Sequence, residues 1–194
     1  MSHFPQEQDK LYKKIYGGIS WPGQRPGFIC IMGELRQQGP NRFVLLDEFE
    51  DFDTGELISR AGAFDVYYRP EKWLSGELDK ATKKLLIEFN KGLDPRQPGR
   101  RLKISPSRIK ALEDDVFRYC FPKLRKSTGP NGELDISKGK MLLNYMSLPQ
   151  DNEISAIKFG DYPSIEAAIF CITDLEAVES QRQYDKTDNE YAII

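Results

Sequence analysis

The sequence predicts an α/β domain in which a mixed sheet, an antiparallel three-strand meander plus parallel strands, is covered by helices. Two observations carry this. The run Tyr16-Gly-Gly-Ile-Ser-Trp breaks at Pro22-Gly, resumes as Phe28-Ile-Cys-Ile-Met, and is followed at once by Phe43-Val-Leu-Leu-Asp-Glu-Phe. That is strand, turn, strand, loop, strand. The chain then alternates helical and strand patterns, and such alternation builds parallel crossovers packed under helices.

Taken in order, residues 1–10 read as a polar lead-in and Lys14 to Trp21 as the first strand. Pro22-Gly-Gln-Arg-Pro-Gly is a turn, because two prolines cannot lie inside a central strand. Phe28 to Leu35 and Arg42 to Phe49 give the next two strands. Asp53-Thr-Gly-Glu opens a helix with an acidic N-cap and Glu56 three residues on, turning Leu57, Ile58 and Ala61 inward and ending near Gly62. Asp65-Val-Tyr-Tyr-Arg is expected as the fourth strand, stopped by Pro70. Leu78, Leu85, Leu86 and Phe89 recur at helical spacing, so residues 78–91 are expected as an amphipathic helix. Arg100 to Ser105 gives the fifth strand, and Ser105-Pro106 the N-cap and first residue of another helix. Lys123 to Gly139 is a polar excursion whose Asn131-Gly132 suggests a hairpin, and Lys140 to Leu148 a short helix. Asp161-Tyr-Pro-Ser introduces a last helix with Ile165, Ala168, Ile169, Ile172 and Leu175 as its buried stripe. The reading is one domain over residues 11–180, with a polar tail over 181–194.

Length and composition narrow the function classes. A chain of 194 residues supports one substantial core. Its 28 Lys and Arg against 30 Asp and Glu leave a net charge of −2, so there is no global pull toward nucleic acid, and any such role needs a local basic patch or metal ions over acids. No apolar run approaches the roughly 18 residues of a membrane span, and the N-terminal residues lack the apolar core of a leader, so a cytoplasmic location is expected. Cys30, Cys120 and Cys171 lie in apolar runs without paired spacing, as buried free thiols do in a reducing compartment. The sole histidine, His3, lies in the lead-in, which argues against His-based nucleophilic chemistry and zinc ligation. No phosphate-cradling Gly-x-x-x-x-Gly-Lys-Ser/Thr occurs, so the chain is not itself a nucleotide-driven motor.

The chemistry-bearing residues are acids near the ends of elements. Tyr16-Gly-Gly-Ile-Ser-Trp, Phe43-Val-Leu-Leu-Asp-Glu-Phe, Asp65-Val-Tyr-Tyr-Arg-Pro and Gly160-Asp-Tyr-Pro-Ser-Ile-Glu-Ala-Ala together resemble the nuclease domain of tailed-phage terminase large subunits, which is ribonuclease H-like. The resemblance covers most of the chain, from residue 15 to about 178. It implies a stand-alone nuclease half or a descendant of one, since the ATPase half has no counterpart here. It also implies a first strand at the centre of the sheet with the fourth beside it, and carboxylates at their ends holding two Mg²⁺ or Mn²⁺ ions for phosphodiester hydrolysis of double-stranded phage DNA during packaging. The host compartment would be the bacterial cytoplasm, and a separate packaging ATPase chain is an implied partner.

Carried onto this chain, the resemblance puts Asp161 at the third acidic position and Glu71 or Glu77 at the second. At the first, the family's Asp is replaced by Ser20, a poor metal ligand, so a neighbour such as Glu34 or Glu48 substitutes or the site is dead. The expected set is thus Glu77, Asp161 and Glu48 as catalytic and metal-binding residues, with Glu71 as a further metal ligand. Each acid also has a plainer account: Asp161 as an N-cap, Glu77 as an acid favouring a helix dipole, Asp47 and Glu48 as solvated rim charge. The expected nucleic-acid contacts are Arg100, Arg101, Lys103, Arg108, Lys123, Arg125 and Lys126, clustered around the fifth strand and the helix after it. A non-catalytic phage or prophage protein that kept this fold to bind DNA or a packaging ATPase is the alternative, and Ser20 is the residue that favours it.

Overall fold

The computed structural model describes residues 11–36, 43–93, 101–107, 120, 134–135 and 161–172. The expected helices after Ser107, the Asn131-Gly132 hairpin turn, the 140–148 helix and both termini lie outside these residues.

β1 (Tyr12–Ser20), β2 (Gly27–Leu35) and β3 (Phe43–Asp51) form the meander, each paired antiparallel to the next. β4 (Lys72–Ser75) pairs parallel to β1, and β5 (Ile104–Pro106) parallel to β4. The two-residue β6 (Leu134–Asp135) pairs parallel to β3. The spatial order is β5-β4-β1-β2-β3-β6, so β1 runs through the interior of a mixed α/β sheet. Interior position explains its sequence. Ile15 and Ile19 point to one face, Gly18 and Ser20 to the other, and from Gly17 to Ser20 every residue is buried.

One face of the sheet is covered by α1 (Thr54–Tyr68). Its Leu57, Ile58, Ala61 and Phe64 join Ile15, Ile19, Ile29, Ile31 and Trp73 in the core. Asp53 caps α1 by accepting from the Glu56 N–H at 2.9 Å, as its position before Thr-Gly-Glu predicts. The helix does not stop near Gly62. Asp65 to Tyr68, expected as the fourth strand, are its last turn, and the strand lies just past Pro70. Two features outweigh the β propensity of Val66, Tyr67 and Tyr68. Phe64 and Tyr68 are four residues apart on one helical face with rings 5.7 Å apart, and the Trp73 indole donates to Asp65 at 2.8 Å. Pro70 then disfavours a right-handed helical Arg69, which closes α1 in the left-handed region at φ 52°.

α2 (Lys80–Gly92) starts one residue after Asp79, which accepts from the Thr82 N–H at 2.7 Å. Its Leu86 and Phe89 pack against the core, whereas Leu85, expected on the buried stripe, is exposed. Ser105 and Pro106 belong to β5 rather than to a helix start. Proline is tolerated there because β5 is an edge strand, and the next N–H, of Ser107, reaches the Ser75 carbonyl at 2.7 Å.

α3 (Pro163–Ile172) covers the other face. It is buried all round up to Cys171, not on one stripe, because it lies directly on β1 and β2. Gly18 makes that possible: a Cβ there would collide with the Ala167 carbonyl and the Cys171 sulfur. All three cysteines are buried free thiols, and Cys30 and Cys171 meet between β2 and α3 with sulfurs 3.4 Å apart. No helix among the described residues is long and apolar enough to cross a membrane.

Candidate functional site at the carboxyl end of the central strand

β1 and β4 run parallel, so their carboxyl ends meet at one lip of the sheet, where the Gly76 N–H reaches the Ile19 carbonyl at 3.2 Å. Ser20 closes β1 there and faces α3. Its hydroxyl donates to Glu166 Oε2 at 2.6 Å, with both residues buried. Glu166 is therefore the acid that occupies the end of the central strand, delivered by α3 rather than by β1. The helix is set for this by its first turn, in which the Tyr162 carbonyl accepts from both Ile165 and Glu166. The ladder thus starts from Tyr162, one residue after the expected cap Asp161. The guanidinium of Arg25, in the β1–β2 turn, sits 5.5 Å from the Tyr162 ring centre and ties that turn to the approach to α3.

Two buried polar atoms have no partner among the described residues, Ser164 Oγ on α3 and Trp21 Nε1 on the core side just past β1. Thiolate chemistry is unsuited to the neighbouring Cys30, because burial, reinforced by Cys171, pushes its thiol well above the usual range.

The expected acids separate into two groups. Glu77 is exposed one residue past Gly76, and Asp161 half-buried two residues before α3, so both border the lip. Glu48 lies half-buried on β3 opposite Cys30, which itself faces Gly18, placing it two strands and about 10 Å away from β1. Glu71 lies at the opposite end of the sheet. It precedes β4, its N–H reaches the Ile15 carbonyl at 2.8 Å, and its carboxylate takes the Lys14 ammonium at 2.9 Å. Ile15 and Ser20 are five residues apart on one strand, about 16 Å. Glu34, the other suggested substitute, is also remote: it is buried opposite Lys14, with the Tyr16 hydroxyl at 3.3 Å and Lys13 at 3.6 Å.

Oxygen donors suit Mg²⁺ or Mn²⁺ in kind. Their placement does not suit the expected quartet, because no three His, Cys, Asp or Glu residues gather as a metal site among the described residues. Glu71 and Glu48 drop out of a lip site for the geometric reasons above. Glu166 was not singled out by the sequence reading, although a signal was present: it is the one acid within the apolar run from Ile165 to Ile172.

Of the expected nucleic-acid contacts, Arg101 and Lys103 are exposed on the segment leading into β5. Arg100, Arg108, Lys123, Arg125 and Lys126 lie outside the described residues. No family model, curated protein or solved structure matches the chain.

Proposed function

We propose that this chain is a ribonuclease H-like domain of the terminase-nuclease type that engages double-stranded phage DNA during packaging without cutting it. The fold assignment is supported by an antiparallel meander whose first strand is central and parallel to β4, with β5 beyond it. The observation that carries the non-catalytic reading is the Ser20–Glu166 pair. At the end of the central strand, where the resemblance implies a metal-binding Asp, a hydroxyl holds a buried carboxylate instead.

Retention of a labelled DNA duplex on the immobilised protein tests the reading. Binding should fall linearly on a log–log plot against salt, with a slope of about −0.9 per phosphate neutralised. Plasmid incubated with Mn²⁺ should remain intact. Absence of salt-dependent retention would remove the DNA reading.

A second reading is metal-dependent phosphodiester hydrolysis at the same lip, using Glu77 and Asp161 with Glu166 in place of the strand-borne acid. Its specific support is that α3 does deliver a carboxylate to the end of β1. Mn²⁺-dependent nicking that is abolished by Asp161→Ala would establish it over the first.

A further inference from the structure

A concave feature lies at the end of the sheet away from the lip. It is a pocket of about 420 Å³ between the end of α1, the start of β4 and the segment entering β5, with Arg69, Arg101 and Lys103 on its walls beside Trp73. That volume falls in the range of small-molecule sites, about 300–1,000 Å³.

The walls are built, not incidental. Asn90 of α2 grips the backbone of Leu102 from both sides, accepting its N–H at 2.9 Å and donating to its carbonyl at 3.0 Å. Leu102 is buried in the core, and its two neighbours, Arg101 and Lys103, flank it exposed. The Trp73 ring is fixed by the indole bond to Asp65 and lies over Gly17, where a Cβ would strike it.

The charges are unevenly committed. The two acids of the pocket are engaged, Asp65 by Trp73 and Glu71 by Lys14. None of the three cations has a carboxylate partner among the described residues. Arg69 adds a second observation. It is the one non-glycine residue with positive φ among the described residues, at a helix-closing position where glycine carries no Cβ penalty. A guanidinium is kept where the backbone disfavours it.

From these features we infer that the pocket binds a phosphorylated small molecule, its phosphate dianion held by Arg69, Arg101 and Lys103. Forked guanidinium donors match phosphate geometry, and the ammonium of Lys103 supplies a point charge. The plainer account of Arg69 is that it answers the negative end of α1. The two accounts make opposite statements about Arg69→Gly.

The test uses the full chain with inorganic phosphate and deoxyadenosine 5′-monophosphate as probes and unphosphorylated deoxyadenosine as control. Both phosphates should raise the melting temperature in a saturable way, and deoxyadenosine should not. Arg69→Gly should weaken nucleotide binding by about tenfold while leaving the unliganded protein as stable or more so. The double variant Arg101→Ala/Lys103→Ala, changing exposed side chains only, should abolish the shift without altering the fold. Equal response to deoxyadenosine, no response to either phosphate, or an Arg69→Gly protein that is destabilised yet binds normally would each overturn the assignment. The probes are mononucleotides, so the result is separable from that of duplex retention.

Discussion

Ser20 and Glu166, 146 residues apart in the chain, meet at 2.6 Å between the last residue of β1 and the first turn of α3. This contact fixes where the helix sits along the strand, and so fixes what the lip of the sheet presents. Losing one buried side-chain hydrogen bond costs about 1–3 kcal/mol. Ser20→Ala should therefore lower unfolding free energy by about that amount. The double variant Ser20→Ala/Glu166→Leu should lose less than the sum of the two single variants, because the bond they share is lost only once. Urea denaturation of the wild type, both single variants and the double variant closes the cycle. Additive losses would show that the two side chains are not coupled.

Placing an acid at position 20 turns the same contact into a metal test. Ser20→Asp would place a second carboxylate beside the buried Glu166. Like charges in a buried site repel, so the variant should melt below wild type in EDTA. The same pair offers an oxygen-lined seat for Mn²⁺, and a ligand at 100 times its Kd stabilises by about 2.7 kcal/mol. Thermal melts with and without millimolar Mn²⁺ should show a gain for Ser20→Asp well above that of wild type. Identical melts with and without the metal would show that the lip cannot be made into a metal site by this one residue.

How much of this was legible beforehand depended on whether the signal was local. The meander was readable because its prolines and glycines punctuate strands whose apolar residues are contiguous, and β1 to β3 fall within two residues of their expected bounds. Asp53 lies three residues before the N–H it receives, which is local chemistry and was readable; Asp79 has the same spacing, although the helix was expected to begin at residue 78. Asp65 to Tyr68 misled because Val and Tyr favour strands, while the contacts that keep them helical, Phe64 with Tyr68 and Asp65 with Trp73, are tertiary. That one displacement moved the fourth strand past Pro70 and put Glu71 before it instead of after it. At the end of β1 the sequence reading named Ser20 and Asp161, and looked to Glu34 or Glu48 on the neighbouring strands for the replacement acid, whereas the acid that meets Ser20 is Glu166. Only packing shows that α3 carries it, since a glutamate in an apolar helix does not state its partner.

Alkaline pH should probe the closing turn of α1. The Tyr68 hydroxyl donates to Asp47 Oδ2 at 2.9 Å, and burial followed by that hydrogen bond raises its pKa well above the ordinary phenol value. Tyr12 and Tyr16 are raised less, burial being the first cause for each. A phenol whose folded pKa exceeds its unfolded one, about 10, stabilises equally at all lower pH. Above that value the unfolded chain releases protons that the folded chain retains, so stability falls as pH rises. Wild type should lose stability from about pH 10 upward. Tyr68→Phe should lose less over the same interval, and denaturation at pH 8 and pH 11 measures the difference. Parallel curves for the two proteins would show that the Tyr68–Asp47 bond does not govern the alkaline limb.

The closest approach of helix to sheet gives the largest stability effect expected. Gly18 lies beneath α3, and a methyl group there has no space, since the obstacle on one side is the Ala167 backbone carbonyl rather than a side chain that can rotate away. Overpacking that a side chain can relieve costs about 1–3 kcal/mol, and a backbone obstacle belongs at or above the top of that range. Gly18→Ala should therefore cost at least about 3 kcal/mol by lifting α3 from β1 and β2. Lifting the helix also lengthens the Ser20–Glu166 contact, and it separates the Cys30 and Cys171 sulfurs that now lie 3.4 Å apart. Reaction of the buried thiols with a thiol reagent under native conditions provides an independent readout. Labelling should be markedly faster in Gly18→Ala than in wild type. A Gly18→Ala protein with wild-type stability and wild-type labelling would mean that α3 does not rest on β1 at this depth.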